Sequence, residues 1–114
     1  MFDYFDYLTT QETREMRDYN RACNWELLPV QGANNRAYIK RMNGVIYLKS
    51  YRTVVFSYNP ETGEFARYWG GYSATTLKHV QMFICYISGI EYRRNSTIGK
   101  SNWDSMPVEK CPIW

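Results

Sequence analysis

The fold turns on residues 37–49, Ala37-Tyr38-Ile39-Lys40-Arg41-Met42-Asn43-Gly44-Val45-Ile46-Tyr47-Leu48-Lys49. Two β-rich runs flank an Asn-Gly pair. Both central residues of a type I′ turn need a positive φ, which Asn and Gly adopt at the least cost, so this stretch predicts a hairpin. Toward the C-terminus, Thr53-Val54-Val55-Phe56-Ser57-Tyr58 follows a tight Ser50-Tyr51-Arg52 connection and predicts a third strand. Asn59-Pro60-Glu61-Thr62-Gly63 is a turn, in which Pro presets φ and Gly supplies the left-handed residue. Residues 64–69 return as a fourth strand. The expected sheet is a four-stranded antiparallel meander. Its second strand is apolar on both sides, Val45 and Tyr47 opposing Ile46 and Leu48, which places it centrally with both faces covered. By alternation, Val54, Phe56 and Tyr58 share one face of the third strand, and Phe65, Arg67 and Trp69 share one face of the fourth.

Helices flank this sheet. Ser73 is an N-cap for a helix that runs to about Ser88 and stops at Gly89. Leu77, Val80, Ile84 and Ile87 form its apolar stripe, flanked by Phe83, and should pack across the sheet. Before the hairpin, residues 9–22 read as a helix with Thr9 and Glu12 as a capping box. Its stripe is only Met16, Tyr19 and Cys23, so it is expected on the surface of the fold. Residues 24–35 read as a loop punctuated by Pro29 and Gly32. After Gly89 the pattern decays: residues 91–94 suit a short strand, and 95–114 suit an irregular tail ordered only by docking of Trp103 and Trp114. The expected class is α+β: the antiparallel meander with one amphipathic helix across it and an N-terminal surface helix. Residues 1–114 are expected as a single domain, with an acidic helix and loop (1–35), a sheet-plus-helix core (36–89) and a tail (90–114).

The chain has 114 residues, one domain's worth. Its 45% hydrophobic and 22% charged residues are ordinary for a globular protein, whereas 18% aromatic residues, eleven of them Tyr, are not. No apolar run reaches the roughly 18 residues of a membrane span. The start, Met1-Phe2-Asp3-Tyr4-Phe5-Asp6, has neither the basic region nor the apolar stretch of a secretory signal. Cys23, Cys85 and Cys111 are widely spaced and form neither a disulfide framework nor a zinc motif. A reduced, cytoplasmic setting fits these features.

The net charge of +3 conceals an asymmetry. Residues 1–35 hold six acids against three bases, while residues 36–60 hold Arg36, Lys40, Arg41, Lys49 and Arg52 with no acid. Either the two segments pack as complementary surfaces, or the basic one faces a phosphate backbone.

Groups for catalysis are scarce. His79 is the single histidine. Cys85 lies six positions on, so the two project from opposite sides of a helix. His79 is expected as a partly exposed structural residue. Glu61 and Glu64 flank a turn, and no phosphate-binding glycine loop or nucleophile elbow is present. The expectation is a protein that is not an enzyme, with no catalytic residue, no metal and no cofactor. What remains is a set of aromatics interleaved with bases: Arg36, Tyr38, Lys40, Arg41, Tyr47, Lys49, Tyr51 and Arg52. Tyrosines on a sheet face stack bases while Lys and Arg hold phosphates. The same side chains also make ordinary cross-strand pairs or a protein interface.

Two segments carry a resemblance. Residues 48–55, with Ser50-Tyr51-Arg52-Thr53-Val54-Val55, and residues 69–83, with Ser73-Ala74-Thr75-Thr76-Leu77-Lys78-His79-Val80-Gln81-Met82-Phe83, form the pattern S-Y-x-T-x-V followed by S-A-T-T-x-K-H-V-x-x-F. This resembles a family of small uncharacterised proteins carried by phages and plasmids of Firmicutes, over about residues 44–84. Physically, the pattern is either a fold signature or a small phosphate site built from Thr75, Thr76, Lys78 and His79 at a helix N-terminus. The resemblance implies a mobile-element protein. The expected function is therefore non-enzymatic inhibition, by binding, of a host defence nuclease such as a CRISPR effector, in the manner of anti-CRISPR proteins. The alternative is a nucleic-acid-binding module using residues 36–60, and a third reading is an enzyme using His79 with Cys85.

Overall fold

Asn43 and Gly44 adopt φ of 54° and 78°, so the turn at the centre of the chain has the left-handed pair its sequence demands. The computed structural model describes residues 10–33, 36–94 and 96–113, with side chains in the first of these from residue 14 onward. In chain order the elements are α1 (Thr10–Ala22), β1 (Glu26–Leu27), β2 (Ala37–Met42), β3 (Val45–Ser50), β4 (Thr53–Asn59), β5 (Glu64–Arg67), α2 (Ala74–Ser88) and α3 (Lys100–Ser105). The class is α+β. The sheet has five antiparallel strands in the order β1-β2-β3-β4-β5, one more than the sequence predicts. The extra strand is the two-residue β1, which pairs Glu26 with Ile39 and Leu27 with Tyr38. Two residues between Trp25 and Pro29 carry no alternation to read. The pairing comes from β2, whose outer edge would otherwise be bare.

β3 is central and buried on both faces, as its two apolar sides predict. One face carries Ile39, Leu48 and Phe56, covered by Leu77, Val80 and Phe83 of α2. The opposite face carries Tyr38, Tyr47, Tyr51 and Val54, packed with Met16 of α1 and with Trp25. Val54 is therefore not on the face of Phe56 and Tyr58. A β-bulge lies where Lys49 pairs with Val54 while Leu48 pairs with Phe56. The extra residue, Val55, shifts the alternation by one and turns Val54 to the other side. Phe65, Arg67 and Trp69 do share a face: Phe65 stacks on Phe56, Arg67 lies over Trp103, and Trp69 packs on the α2-side core.

α2 begins and ends where its sequence says. The Ser73 side chain accepts a hydrogen bond from the Thr76 N–H at 3.1 Å, and Gly89 is left-handed with φ 71°. The tail is more regular than predicted. Residues 91–94 form no strand, but residues 100–105 form α3, and Trp103 is fully buried. Arg67 holds this segment down, its guanidinium donating to the carbonyls of Trp103 at 2.8 Å and Met106 at 3.1 Å. Val108 then pairs in parallel with Arg67 at the β5 edge. Thr9, the side chain of Glu12, and Trp114 lie outside the described residues. No helix among the described residues is long and apolar enough to cross a membrane.

Candidate binding groove

The two halves of the sequence pattern meet. Ser50, at the end of β3, shares a 2.7 Å hydrogen bond with His79 Nδ1 and a 3.2 Å bond with Thr76 Oγ1. All three residues are buried. Tyr51 follows in the β3–β4 turn with φ 56°, a conformation that costs a non-glycine residue roughly 1–3 kcal/mol. Its surroundings hold it there. Its N–H donates to Arg36 O at 2.8 Å, its carbonyl accepts from Asn20 Nδ2 at 3.2 Å, and its ring lies 5.6 Å from the His79 ring. The pattern is thus a fold signature at the β3–α2 seam. His79 is buried, not partly exposed. Cys85 is also buried, with its sulfur bonded by Gln81.

The eight residues singled out from the basic segment separate. Tyr38, Tyr47, Lys49 and Tyr51 are buried in the core beneath α1. Tyr38 and Tyr47 do share a sheet face, as alternation predicts, but that face is covered by Met16, Trp25 and the segment around Ile113. Burial raises the hydroxyl pKa of both tyrosines and lowers that of the Lys49 ammonium. Lys49 lies 5.3 Å from the Tyr19 ring centre and 5.0 Å from that of Trp25. Lys40 is half-buried and donates to Cys23 O at 3.2 Å. Arg52 is exposed at the turn, and Arg41 is exposed and donates to Tyr86 Oη at 2.9 Å. No single surface unites these eight. The signal for this lay in the N-terminal segment: Asn20 and Met16, four apart, face the sheet and turn a seemingly solvated helix into a lid.

A different surface is built. The left-handed cap at Gly89 ends α2, and Glu91, Tyr92, Arg93 and Arg94 then lie across a groove from Gln31 and Gly32. Lys78 and Met82, on one flank of α2, line it as well, and its volume is about 730 Å³. Gly32 has φ 101°, and a Cβ there would lie 3.3 Å from Met82 Cε, so the loop approaches α2 closely. A second compartment of about 180 Å³ continues past Lys78 to Arg36, Thr75 and His79. A third, of about 320 Å³, continues past Tyr92 to Val30, Tyr86 and Ile90.

The groove is cationic. Arg36, Lys78, Arg93 and Arg94 line it against the single acid Glu91. The ion pairs of the described side chains lie elsewhere, at Arg17–Asp18 and Lys100–Asp104. Buried Arg36 Nε has no hydrogen-bond partner among the described residues. Composition along the chain hid this set, because residues 61–90 balance and 91–114 are nearly neutral. The four cations come from three separated segments that only the fold brings together. Among the described residues, no cluster of three His, Cys, Asp or Glu side chains could hold a metal ion.

No curated protein and no solved structure matches the chain. A family model does match, that of a family of unknown function designated DUF8033, over residues 26–103. The match spans the Ser50–Thr76–His79 seam and every groove residue named above, and stops short of α1. Covering well over half of the chain, it places the protein in this family.

Proposed function

We propose that the protein is a non-enzymatic binding protein of a mobile element that inhibits a host defence nuclease, of the CRISPR-effector type, by occupying it. The observation that supports this reading is the open cationic groove, set against the burial of His79 and Cys85 in the folding core. A nucleophile or general base must reach its substrate, and Ser50, His79 and Cys85 are all buried. Arg36, Lys78, Arg93 and Arg94 instead suit capture of an anionic partner through charge-assisted bonds. The test is a tagged pull-down from host lysate, with and without nuclease treatment. One dominant protein that survives the treatment, and whose cleavage activity falls on addition of the pure protein, is the expected result. Capture of no protein, with no nuclease inhibited, overturns it.

The second reading, a nucleic-acid-binding module, is favoured by the charge of the same groove but not by residues 36–60, half of whose candidate contacts are buried. It predicts that the captured set disappears on nuclease treatment.

A further inference from the structure

We infer that the groove along α2 grips the phosphate backbone of a single-stranded nucleic acid. This rests on the reading of the groove as the working surface, and deepens it by naming what the groove holds.

The four cations are an electrostatic liability without a ligand. Lys78 on α2, Arg93 and Arg94 beyond its end, and Arg36 before β2 line adjoining compartments, with one acid among them. Like charges gathered this way repel, and a row of phosphates relieves the repulsion. Three of the four are arginines, whose planar forks match phosphate oxygens two at a time. Arg36 lines the compartment beyond Lys78, and its Nε, closed off from solvent, has no hydrogen-bond partner among the described residues to tie the side chain down.

Shape selects a single strand. The three compartments adjoin through Lys78 and Tyr92 and run beside α2 from Thr75 to Gly89, about 21 Å at about 1.5 Å per residue. That length takes a few nucleotides. The flank of α2 lines the trench instead of standing proud of it, so it offers no probe for a duplex major groove. At the end away from Arg36, the rings of Tyr92 and Tyr86 border the trench, each fixed by its hydroxyl: Tyr92 donates to Ser96 O at 3.0 Å, and Tyr86 accepts from Arg41. Positioned aromatics beside a cationic track are the parts that single-strand binders use, bases stacking while the backbone follows the charge.

The test is fluorescence anisotropy of the full chain with a labelled oligothymidine, and with a duplex of equal length. The single strand is expected to bind, with affinity falling about 20- to 50-fold between about 50 and 200 mM salt, as three to four phosphate contacts require. The double variant Arg93→Glu/Arg94→Glu should lose more than tenfold. The matched pair Arg14→Glu/Arg21→Glu on α1, exposed and carrying the same charge change, should lose less than twofold. Circular dichroism checks that both variants remain folded. Equal losses in the two pairs, equal affinity for duplex, or competition by poly-glutamate as effective as by oligothymidine would each overturn the proposal. If wild type ignores oligothymidine but captures a nuclease-resistant protein partner that the Arg93→Glu/Arg94→Glu variant loses, the strand proposal fails and the inhibitor reading survives. Strand binding with no protein capture supports the strand proposal and overturns the inhibitor reading.

Discussion

Ser50 Oγ and His79 Nδ1 lie 2.7 Å apart across the seam between β3 and α2, and Thr76 Oγ1 lies 3.2 Å from the same serine oxygen. A buried polar triad of this kind fixes the register of helix on sheet, because each member deprived of its partner pays its desolvation cost in full. Ser50→Ala should lower stability by about 1–3 kcal/mol in urea denaturation. A double-mutant cycle of Ser50→Ala with Thr76→Val should give a coupling of at least about 0.5 kcal/mol. At temperatures where the variants stay folded, partner capture should match wild type. Loss of capture by a folded Ser50→Ala protein would move the triad from the fold into the working site.

The buried and exposed members of the basic segment should respond unequally to charge reversal. Lys49 lies within the core with its ammonium near the Tyr19 and Trp25 rings, whereas Arg52 projects from the adjacent turn. Lys49→Glu places a carboxylate among negative ring faces and should cost about 3–5 kcal/mol, enough to unfold much of the population. Arg52→Glu should stay within about 0.5 kcal/mol of wild type. Thermal melts of the two variants decide this, and equal melting temperatures would contradict the placement of Lys49.

Much of this fold is legible in the chain, and what is not depends on contacts between residues distant in sequence. The Asn43-Gly44 turn, the central β3 and both ends of α2 follow from residues within a few positions of one another. Val54 does not, because the bulge that turns it inward depends on how β4 meets Lys49. Nor does α3: its six residues show no amphipathic period, and what seats it is Trp103 packing on Phe56 and Arg67. The groove is least legible of all. Arg36 lies 42 residues before Lys78 and Lys78 lies 15 before Arg93, so no short window of sequence contains them together.

Arg67 shows what the tail depends on. Its guanidinium lies 4.3 Å from the Trp103 ring centre and donates to Trp69 O and Trp103 O, each at 2.8 Å, and to Met106 O at 3.1 Å. One planar fork thereby binds the end of β5 to both sides of the α3 terminus. A lysine ammonium is a single point with three donors and cannot span these carbonyls. Arg67→Lys should therefore cost about 1.5–3 kcal/mol, the range of a lost charged hydrogen bond. Hydrogen exchange should quicken first at the Trp103, Met106 and Glu109 amides, which bond to Gly99 O, Trp103 O and Arg67 O. Uniform acceleration across the sheet would show instead that the tail and the sheet unfold as one unit.

Buried tyrosines set the alkaline limit of the fold. Burial raises the hydroxyl pKa of Tyr38, Tyr47 and Tyr68 above the ordinary 10.0, although for Tyr68 a 2.7 Å bond with Ser57 works the other way. In the unfolded chain these groups lose their protons near pH 10, while in the folded chain they keep them to higher pH. Their contribution is thus fully present below pH 10 and is lost as pH rises through the raised folded values. Lys49 has the opposite sign. Burial lowers its pKa from 10.5, so its cost is present at neutral pH and is relieved as pH climbs toward 10.5. Stability should hold or rise slightly from neutral pH to about 10, then fall by up to about 1.4 kcal/mol per pH unit for each tyrosine. Tyrosinate absorbance should then appear together with loss of the far-ultraviolet signal, in one cooperative step. Ordinary titration of all the tyrosines near pH 10 with the helix and sheet signals intact would contradict the buried placement of Tyr38 and Tyr47 and the partial burial of Tyr68.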